Sequence, residues 1–510
     1  MREAKSIPLT DNFTYRRDEF GIKPFYYTVQ NGNLCYAPEA KLLLPYLPSI
    51  ETDLEAFKEY ITFQYYLNGK TLFKGIKELP PAHELTLDNG KVKIKKYWEL
   101  KFEPDFDHTQ KYFQEKTLEL LEKSVKQSLK QWKGKKVACY LSGGIDSSTI
   151  ASLSGNKLAY HGKFLEQGYR EDYYARLVAK QHGIELREVE LTPQDFKNNI
   201  RDVIRCLDYP TMGPGAFPQY ITAKRASKDG IEVLLGGQGG DELFGGYVRY
   251  IIAYLEQCLR GAIEGTLHNG NYIVTYESII PSLQSIRQYT PLMKEFFAEG
   301  MFEPMDKRYY RLVNRANTLK GEIRWELLEG YNPWETFSNL FNSSGVKKES
   351  YFDLMSHYDL RYGLPPMLQV EDRVSQAHGV ESVMPFLDRE LVEFSATIPS
   401  NIKFRDGRTK YLLREAVKDL LPMEVVERKD KMGFPTPITE WCQGECKDFI
   451  HDIFSSQRAL QRDLIDNRKV LAGLEKEPKY SRKLWGLLSL ELWQQEFHDK
   501  ADQFRKERIN

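Results

Sequence analysis

The sequence predicts an α/β protein. Its larger C-terminal part is a doubly wound parallel sheet with a helical extension, and a smaller α+β part precedes it. Short β segments with turns occupy residues 1–105, strand and helix patterns alternate from 137 to 235, and mainly helical patterns follow residue 250. With 510 residues, the chain is too long for one compact core. The charged stretch at 102–108 is the expected linker, which gives domains at 1–105 and 110–510.

Two hairpins and one helix are expected in the N-terminal part. Residues 25–29 have a strand pattern, the Gln-Asn-Gly-Asn sequence at 30–33 is typical of a tight turn, and residues 34–36 form the return strand. A second turn, Asp-Asn-Gly at 88–90, separates two further strand segments. Residues 53–66, between the hairpins, have the pattern of a helix.

Strands and helices alternate in the middle of the chain. An amphipathic helix at 118–132 precedes an apolar strand at 137–141, and another helix follows from about Ser147. This alternation implies a mainly parallel sheet with helices on both faces. The further elements of the series are a helix at 172–181 and strands at 158–160, 186–190 and 231–235.

Composition excludes several classes of protein. Lys plus Arg equals Asp plus Glu, 72 each, so a nucleic-acid binder with a broad basic face is not expected. The sequence contains no run of about 18 apolar residues, so a membrane span is not expected. Residues 1–10 lack the apolar region of a secretory signal. Six cysteines among 510 residues are sparse and suit reduced thiols in a cytoplasmic protein.

The most informative motif is Leu-Ser-Gly-Gly-Ile-Asp-Ser-Ser at residues 141–148, where an apolar strand gives way to a helix. Glycines allow the backbone to approach an anion, and a helix N-terminus offers free N–H groups. Asp146 would repel a bare phosphate, so its presence suggests a bridging Mg²⁺. The loop lacks the Lys of a Walker A motif, which indicates that pyrophosphate is held here and released.

A second glycine-rich segment, residues 236–247, also follows an apolar strand. Six of its twelve residues are glycine, a composition that cannot stabilise a helix or strand interior but allows close approach to a ligand. Asp241 offers a second carboxylate for the same Mg²⁺. Because ligands of open parallel sheets bind at the carboxyl ends of the strands, both loops are expected in one site.

These two loops, with their spacing, resemble the synthetase domain of the asparagine synthetase family, and the first resembles the pyrophosphate loop of ATP pyrophosphatases. Three further stretches resemble the same family, at residues 372–388, 407–415 and 431–437. The resemblance extends over essentially the whole chain from Asp18. It implies an adenine-nucleotide α-hydrolase-like (PP-loop) sheet, preceded by a partial glutaminase domain of the N-terminal-nucleophile type.

The resemblance also implies roles for individual residues. Lys410 would stabilise charge on the phosphate as the acyl-adenylate forms and breaks. Asp146 and Asp241 would share Mg²⁺, while Tyr247 and Glu381 are candidates near the acceptor. The residues implied in binding ATP and pyrophosphate are Leu141, Ser142, Gly143, Gly144, Asp146, Ser147, Gly236 and Gly237.

The implied activity is ATP-dependent amide formation. Aspartate or a related carboxylate reacts with ATP to give an acyl-adenylate and pyrophosphate, and ammonia or the nitrogen of glutamine then displaces AMP. Two alternatives stay open: an amidotransferase or lactam- or macrolactam-forming synthetase acting on another carboxylate, and a non-catalytic partner subunit. The family's asparagine-making members usually carry Glu at the catalytic position where this chain has Gln238. That difference questions aspartate as the substrate more than it questions adenylation.

The family's glutaminase domain normally begins with a cysteine nucleophile directly after the initiator Met. Here the second residue is Arg2, and the earliest cysteine, Cys35, lies in a predicted hairpin. Residues 18–27 resemble the middle of that domain. Three explanations are open: use of free ammonia, supply by a separate glutaminase subunit, or truncation of a longer gene product. A half-deleted sheet would expose an unpaired edge, which favours either a truncation or pairing with another chain, such as a second copy in a homodimer or that subunit.

Overall fold

The structure is a computed structural model. It describes residues 3–166, 168–169, 171–264, 293, 303–343, 345–347, 350–405, 408–429 and 436–506. The motif at 431–434 and part of the helical region expected after residue 250 lie outside these ranges. No helix within them is long and apolar enough to cross a membrane.

Twelve strands form three sheets in the described ranges. A four-stranded antiparallel sheet has the order β1-β4-β3-β5, a three-stranded antiparallel sheet has the order β2-β6-β7, and a five-stranded sheet has the order β10-β9-β8-β11-β12. The strands are β1 Lys5–Pro8, β2 Phe13–Arg16, β3 Tyr26–Gln30, β4 Asn33–Ala37, β5 Lys77–Glu78, β6 His83–Asp88, β7 Lys91–Lys96, β8 Val137–Tyr140, β9 Leu158–Lys163, β10 Glu185–Glu190, β11 Val233–Leu235 and β12 Glu381–Val383.

Helices form most of the remaining regular structure. They are α1 Leu54–Phe63, α2 Gln110–Gln131, α3 Ile145–Ser154, α4 Asp172–His182, α5 Pro193–Leu207, α6 Ala216–Lys228, α7 Gly240–Phe244, α8 Val248–Glu264, α9 Met305–Val313, α10 Pro333–Asn342, α11 Tyr351–Tyr358, α12 Leu364–Gln376, α13 Arg389–Ser395, α14 Ser400–Lys403, α15 Tyr411–Val417, α16 Met423–Val426, α17 Ile438–Gln443, α18 Lys447–Ser455, α19 Asn467–Gly473, α20 Arg482–Trp493 and α21 Ala501–Lys506.

The N-terminal part contains both predicted hairpins, β3–β4 and β6–β7, and the predicted helix, α1. Asp53 caps α1, since its side chain accepts a hydrogen bond from the Ala56 N–H at 2.9 Å. The helix ends where Gln64 adopts the left-handed conformation, with φ of 64°. This termination turns Gln64 and Tyr65 toward the cavity described below.

The five-stranded sheet is parallel throughout, as the sequence predicts. Adjacent residues of its strands pack on opposite faces. Ala138 and Leu234 join the apolar cluster that contains α5 and α6, while Cys139 and Leu235 join the cluster that contains α2, α3 and α4. Helices therefore cover both faces, and the doubly wound α/β fold class is confirmed.

Strand β12 is an element that the sequence did not predict. It pairs in parallel with β11, and the Gly236 N–H donates to the Val383 carbonyl at 2.8 Å. Three residues are too few to show the alternation that identifies a strand. By fixing Gly236, β12 shapes the backbone at the carboxyl end of β11.

The second glycine-rich segment differs from its expected form, because residues 240–244 make the short helix α7. Gly239, with φ of 99°, precedes the helix, and Gly245, with φ of 70°, ends it. Both angles lie in the left-handed region that favours glycine. The glycines therefore bound a single helical turn, and Asp241 lies in that turn.

The N-terminal part and the parallel-sheet part share one apolar core. A single cluster includes Tyr26 and Phe57 together with Phe196 of α5 and Trp493 of α20. Polar contacts reinforce it: the Tyr209 hydroxyl donates to the Tyr26 hydroxyl at 3.1 Å. The expected chain division therefore does not correspond to a division of the core.

Candidate active site

A cavity of about 1030 Å³ opens at the carboxyl ends of β8 and β11. Residues from both glycine-rich loops line it, together with Lys410. Most of the residues that the sequence indicated lie on its wall: Leu141, Ser142, Gly144, Asp146, Ser147, Gly236, Gly237, Gln238, Asp241, Tyr247 and Lys410. The two loops thus meet in one site, as their shared position at strand ends predicts.

The first loop forms a compact turn before α3. The Ser142 and Ser147 hydroxyls lie 2.9 Å apart, and the Ser147 hydroxyl also donates to the Gly144 carbonyl at 3.2 Å. Gly144 occupies the N-cap of the helix, so the N–H groups of its first turn face the cavity end of the sheet. Helix N-termini bind anions, and this one has the hydroxyls needed to supplement its backbone donors.

Gly143 makes the tight turn of the first loop and does not line the cavity. Its φ is 75°, and a Cβ at this position would lie 2.7 Å from the Ala175 backbone nitrogen. Its carbonyl accepts a hydrogen bond from Arg428 at 3.3 Å. The residue therefore permits the loop to pack on α4, and it acts on the site through loop shape.

Glycines of the second loop allow it to contact the first. A Cβ on Gly240 would lie 2.4 Å from Asp146 Oδ1, and one on Gly237 would lie 2.7 Å from the Ser147 backbone nitrogen. Such distances are too short for any side-chain carbon. The absence of these side chains brings the α7 turn against the first turn of α3.

Lys410 joins the two carboxylates. Its Nζ lies 2.5 Å from Asp146 Oδ2 and 2.7 Å from Asp241 Oδ1. The residue is buried and precedes α15 with φ of 56°, a left-handed conformation that is uncommon for lysine. Burial disfavours its charge, but attraction to Asp146 and Asp241 outweighs burial and raises the pKa of Lys410 above its ordinary value.

The two carboxylates that pair with Lys410 suit a magnesium ion whose other ligands are phosphate and water. Within the described ranges, no group of three or more His, Cys, Asp or Glu side chains forms an all-protein metal cage. Two convergent carboxylates, Asp146 and Asp241, suit Mg²⁺, which usually takes one or two protein carboxylates plus substrate phosphates. Because Gly240 and Gly246 have no Cβ, the second loop itself does not crowd the two carboxylates.

Gln238 and Tyr247 lie on the cavity wall with different partners. Gln238 hydrogen bonds to Glu371 of α12. The Tyr247 hydroxyl donates to Glu242, and the Arg249 guanidinium lies over the Tyr247 ring at 3.8 Å. Burial, with the neighbouring charge of Glu242, raises the pKa of the Tyr247 hydroxyl well above its ordinary value, so this group is neutral at physiological pH.

Glu381 is not brought together with these residues. It starts β12, at the end of the strand opposite the cavity, and it does not line the cavity wall. Its carboxylate pairs with Lys23 and accepts a hydrogen bond from Gln376 at 2.5 Å. Its contacts are those of an ion pair that ties the N-terminal part to the sheet.

Some cavity residues were given no role from the sequence. Arg428, which lies in none of the recognised stretches, pairs with Glu171 while bonding the first loop, and Arg414, which lies in the 407–415 stretch, donates to the Thr409 carbonyl at 2.8 Å. Glu371, directly before the Asp-Arg pair of the 372–388 stretch, is buried at the cavity wall. Only its adjacency to that stretch could have indicated it.

Comparison with known proteins agrees with this geometry. The family model described as "Asparagine synthase" matches residues 116–495, and that described as "Glutamine amidotransferase domain" matches residues 9–98. "Asparagine synthetase [glutamine-hydrolyzing] 1" of Bacillus subtilis (strain 168) is 30% identical over 493 residues, which cover 94% of this chain and 74% of the relative.

Two further relatives are more distant. "Asparagine synthetase [glutamine-hydrolyzing] 3" of the same organism is 23% identical, over a match that covers 92% of this chain and 72% of the relative. "Amidase chyE" of Penicillium rubens is 24% identical, over a match that covers 90% of this chain and 73% of the relative. From the family match and the site geometry together, the chain belongs to the asparagine synthase family and is an ATP-dependent carbon–nitrogen ligase that forms amides.

Proposed function

We propose that the protein activates the side-chain carboxylate of aspartate, or a closely related carboxylate, as an acyl-adenylate and transfers the acyl group to ammonia. The observation that carries this proposal is the convergence of Asp146, Asp241 and Lys410 between two glycine-rich strand ends. Loops of this kind suit pyrophosphate, whose release accompanies adenylation. Glutamine is the proposed source of the ammonia in the complete system, through a glutaminase partner or domain.

Each residue then has a proposed task. The N–H groups at the start of α3, with the Ser142 and Ser147 hydroxyls, hold the leaving pyrophosphate. Asp146 and Asp241 hold the metal site, and magnesium, when bound, supplies positive charge that stabilises the departing phosphates. Lys410 donates hydrogen bonds to the α-phosphate as the carboxylate attacks it and again as AMP leaves.

The remaining proposed tasks concern the nucleotide and the acyl group. Leu141 contacts the nucleotide through its backbone, and Gly236 and Gly237 allow the adenylate to lie against the end of β11. Gln238 positions the acyl group by hydrogen bonds from its amide. Tyr247, held by Glu242, borders the acceptor side of the cavity.

The proposal extends to the organisation of the protein. Residues 1–105 form a glutaminase-like unit, and residues 110–510 form the synthetase unit. Support comes from the positions of the two family matches on either side of residues 99–115. We further propose a cytoplasmic location, and a homodimer or a separate glutaminase subunit as the partner of the N-terminal unit.

A second candidate is a synthetase that acts on a larger carboxylate. The observation that favours it is the extent of the cavity, which continues past the two loops to Phe63, Tyr65 and the cations Arg315 and Arg482. A cavity of about 1030 Å³ is at the upper end of the ordinary range for ligand sites. Its aromatic wall is suited to an acyl chain longer than that of aspartate.

The test is carboxylate-dependent exchange between ATP and labelled pyrophosphate. Aspartate, glutamate and larger aryl or alkyl carboxylates are each supplied with magnesium and ATP, and AMP formation with ammonium chloride is measured in parallel. Exchange with aspartate supports the first candidate, and exchange only with a larger carboxylate supports the second. No exchange with any carboxylate would favour the non-catalytic partner instead.

A further inference from the structure

Part of the cavity wall has no task in the mechanism above. We call it the distal arm, and it is formed by Phe63, Gln64, Tyr65, Arg249 and Arg482. The Phe63 and Tyr65 rings stack with their centroids 5.6 Å apart, so the arm has an apolar surface. The Arg249 guanidinium lies over the Tyr247 ring at 3.8 Å, which places the arm next to the acceptor side of the cavity.

The two arginines of the arm differ in their partners. Arg249 donates to the Asp359 carboxylate from Nη2 at 2.6 Å and from Nε at 3.2 Å, so its charge is compensated. In the described part of the chain, no carboxylate pairs with the Arg482 guanidinium, and its electrostatic neighbours are Arg249 and Tyr247. Burial, with the neighbouring charge of Arg249, lowers the pKa of Arg482 below its ordinary value, and the guanidinium keeps its charge.

The position of Arg482 is unfavourable for folding. Protein atoms enclose the side chain, and it is the cavity that exposes it. A guanidinium held in such a place without an acidic partner opposes folding. Arg482 is also the first residue of α20, where the positive end of the helix dipole disfavours a cation. The helix end and the guanidinium therefore both favour an anion in the arm.

The backbone of Arg482 is held by the end of α1. The Gln64 amide donates from Nε2 to the Arg482 carbonyl at 3.0 Å, and the Gln64 carbonyl accepts from the Met212 N–H at 2.7 Å. Trp485 of α20 donates from its indole to the Met212 carbonyl at 3.2 Å. A Cβ on Gly486 would lie 3.2 Å from Gln64 Nε2, so this glycine lets Gln64 lie against α20. Gln64 is therefore a positioning residue for Arg482.

We propose that the acyl substrate is a dicarboxylate, and that Arg482 binds the carboxylate that does not react while an apolar spacer lies against Phe63 and Tyr65. The inference rests on the proposed function, in the form of its second candidate, and names the class of carboxylate that the site selects. A guanidinium suits a carboxylate because it can donate two parallel N–H bonds to it. Arg482 is then a specificity-determining residue, since it discriminates between substrates by their distal end.

The test compares pyrophosphate exchange within pairs of acids in which a methyl group replaces one carboxylate. The pairs are aspartate and β-aminobutyrate, adipate and hexanoate, and suberate and octanoate. For a pair with an apolar spacer, we expect kcat/KM of the wild-type protein to be higher for the dicarboxylate by on the order of 10-fold or more, the value of a charge-assisted hydrogen bond.

Arg482→Met should remove this preference. We expect kcat/KM for the dicarboxylate to fall on the order of 10- to 100-fold, toward that of its monocarboxylate partner. Exchange with the monocarboxylate and the KM for ATP should change by less than about threefold, because the triphosphate has its own donors at the start of α3 and at Lys410. Arg482→Lys keeps the charge without the paired donors, and an intermediate preference is expected.

Two further variants separate recognition from stability. Lys483→Met removes the next cation of α20, which pairs with Glu322 at 2.7 Å and does not line the cavity. It should leave the preference unchanged even where it lowers the thermal midpoint. Gln64→Met removes the donor to the Arg482 carbonyl, and it should weaken the preference while exchange with the monocarboxylates stays at the wild-type rate.

The contradicting outcomes are distinguishable. If no wild-type exchange occurs with any acid, the adenylation proposal fails and this inference fails with it. Exchange without a preference for dicarboxylates overturns the inference alone, and a preference confined to aspartate overturns the apolar spacer. If Arg482→Met loses exchange equally with both members of a pair, or raises the KM for ATP instead, Arg482 does not recognise the acyl substrate.

Discussion

At the scale of single residues, the site depends on one lysine held between two carboxylates. Asp146 and Asp241 were indicated by glycine-rich motifs whose residue types fit phosphate chemistry, whereas Lys410 was indicated only by the resemblance to the family; the structure brings the three side chains together. Glu371 could not be predicted, since a single acidic residue within an amphipathic helix carries no pattern of its own. Glu381 shows the converse: a motif residue whose side chain contacts Lys23 and Gln376 outside the cavity.

Lys410→Met should lower adenylation on the order of 10²- to 10³-fold, the cost of removing one donor from a developing oxyanion. The substitution also leaves Asp146 and Asp241 facing each other without their shared cation, so thermal stability should decrease. Magnesium chloride added without nucleotide should then stabilise the variant more than it stabilises the wild-type protein. Exchange assays and thermal unfolding measure the two effects.

Lys418→Met provides the control, because its side chain is 47% exposed and pairs with Glu415 at the surface. It should change neither exchange nor the response to magnesium. Wild-type exchange in Lys410→Met would remove Lys410 from the proposed chemistry, and an equal magnesium response in the two proteins would argue against a metal site at Asp146 and Asp241.

Gly246→Ala should inactivate the protein through the geometry of the lysine. The added Cβ would lie 1.7 Å from Asp241 Oδ1 and 2.3 Å from Lys410 Cε, so both side chains must move. Gly473→Ala is the matched control, since a Cβ there meets nothing within 4 Å. We expect exchange to fall at least tenfold in the first variant and to stay unchanged in the second. Full activity of Gly246→Ala would mean that the Asp241 and Lys410 side chains can be displaced without loss of function.

At the scale of elements, hydrophobic period and turn chemistry predicted the strands and helices of the parallel sheet, but not every piece of it. Strand β12 has only three residues, and the single turn of α7 is bounded by two left-handed glycines. Both are set by tertiary contacts, with β11 and with the first loop. Local sequence preferences cannot report such contacts.

The cap of α5 offers a test of an element that is independent of the chemistry. Thr192 accepts a hydrogen bond from the Asp195 N–H at 3.1 Å, and the Asp195 carboxylate accepts one from the Thr192 N–H, which completes a capping box. Thr192→Ala should cost about 1 kcal/mol of stability. Thermal unfolding should show a lower midpoint, while exchange stays at the wild-type rate.

Thr192→Ser retains the hydroxyl and is the matched control for that cap. Its midpoint should remain close to that of the wild-type protein. A midpoint for Thr192→Ala equal to that of Thr192→Ser would mean that water replaces the cap without cost.

At the scale of the whole molecule, the sequence predicted two units but not the continuous core between them. Tyr26 and Phe57 belong to the same cluster as Trp493, residues that are far apart in the chain. Linker composition marks where a chain changes character, whereas packing across the boundary depends on surfaces that form only after folding. The N-terminal unit is thus part of the framework that supports the cavity.

Acid should weaken this framework. Burial, together with the charge of Arg361, lowers the pKa of His357 to about 4, and the ring packs against Phe102 of the connecting stretch with centroids 6.1 Å apart. Between pH 6.5 and 4 the unfolded chain binds a proton that the folded protein does not, so stability falls as pH decreases. His498, with a pKa lowered to about 4 by burial, adds to the same loss.

Thermal unfolding measured from pH 7 to pH 4.5 tests this expectation. The midpoint of His357→Gln should decrease less steeply across this range than that of the wild-type protein, because one proton-linked cost is removed. His451→Gln changes an exposed histidine and should reproduce the wild-type slope. Identical slopes in all three proteins would show that His357 titrates normally.

The left-handed lysine at the start of α15 has a consequence for the order in which ligands arrive. Because the single positive charge of Lys410 offsets one of the two negative charges of Asp146 and Asp241, a lone divalent ion entering from solution meets a cluster of reduced negative charge. A ligand that carries its own negative oxygens, such as a phosphate, offers the Lys410 ammonium group a new hydrogen-bond acceptor when Lys410 moves away from the carboxylates. On the proposed function, we expect magnesium to bind together with the triphosphate, and free magnesium at cellular concentrations should leave the site of the wild-type protein unoccupied.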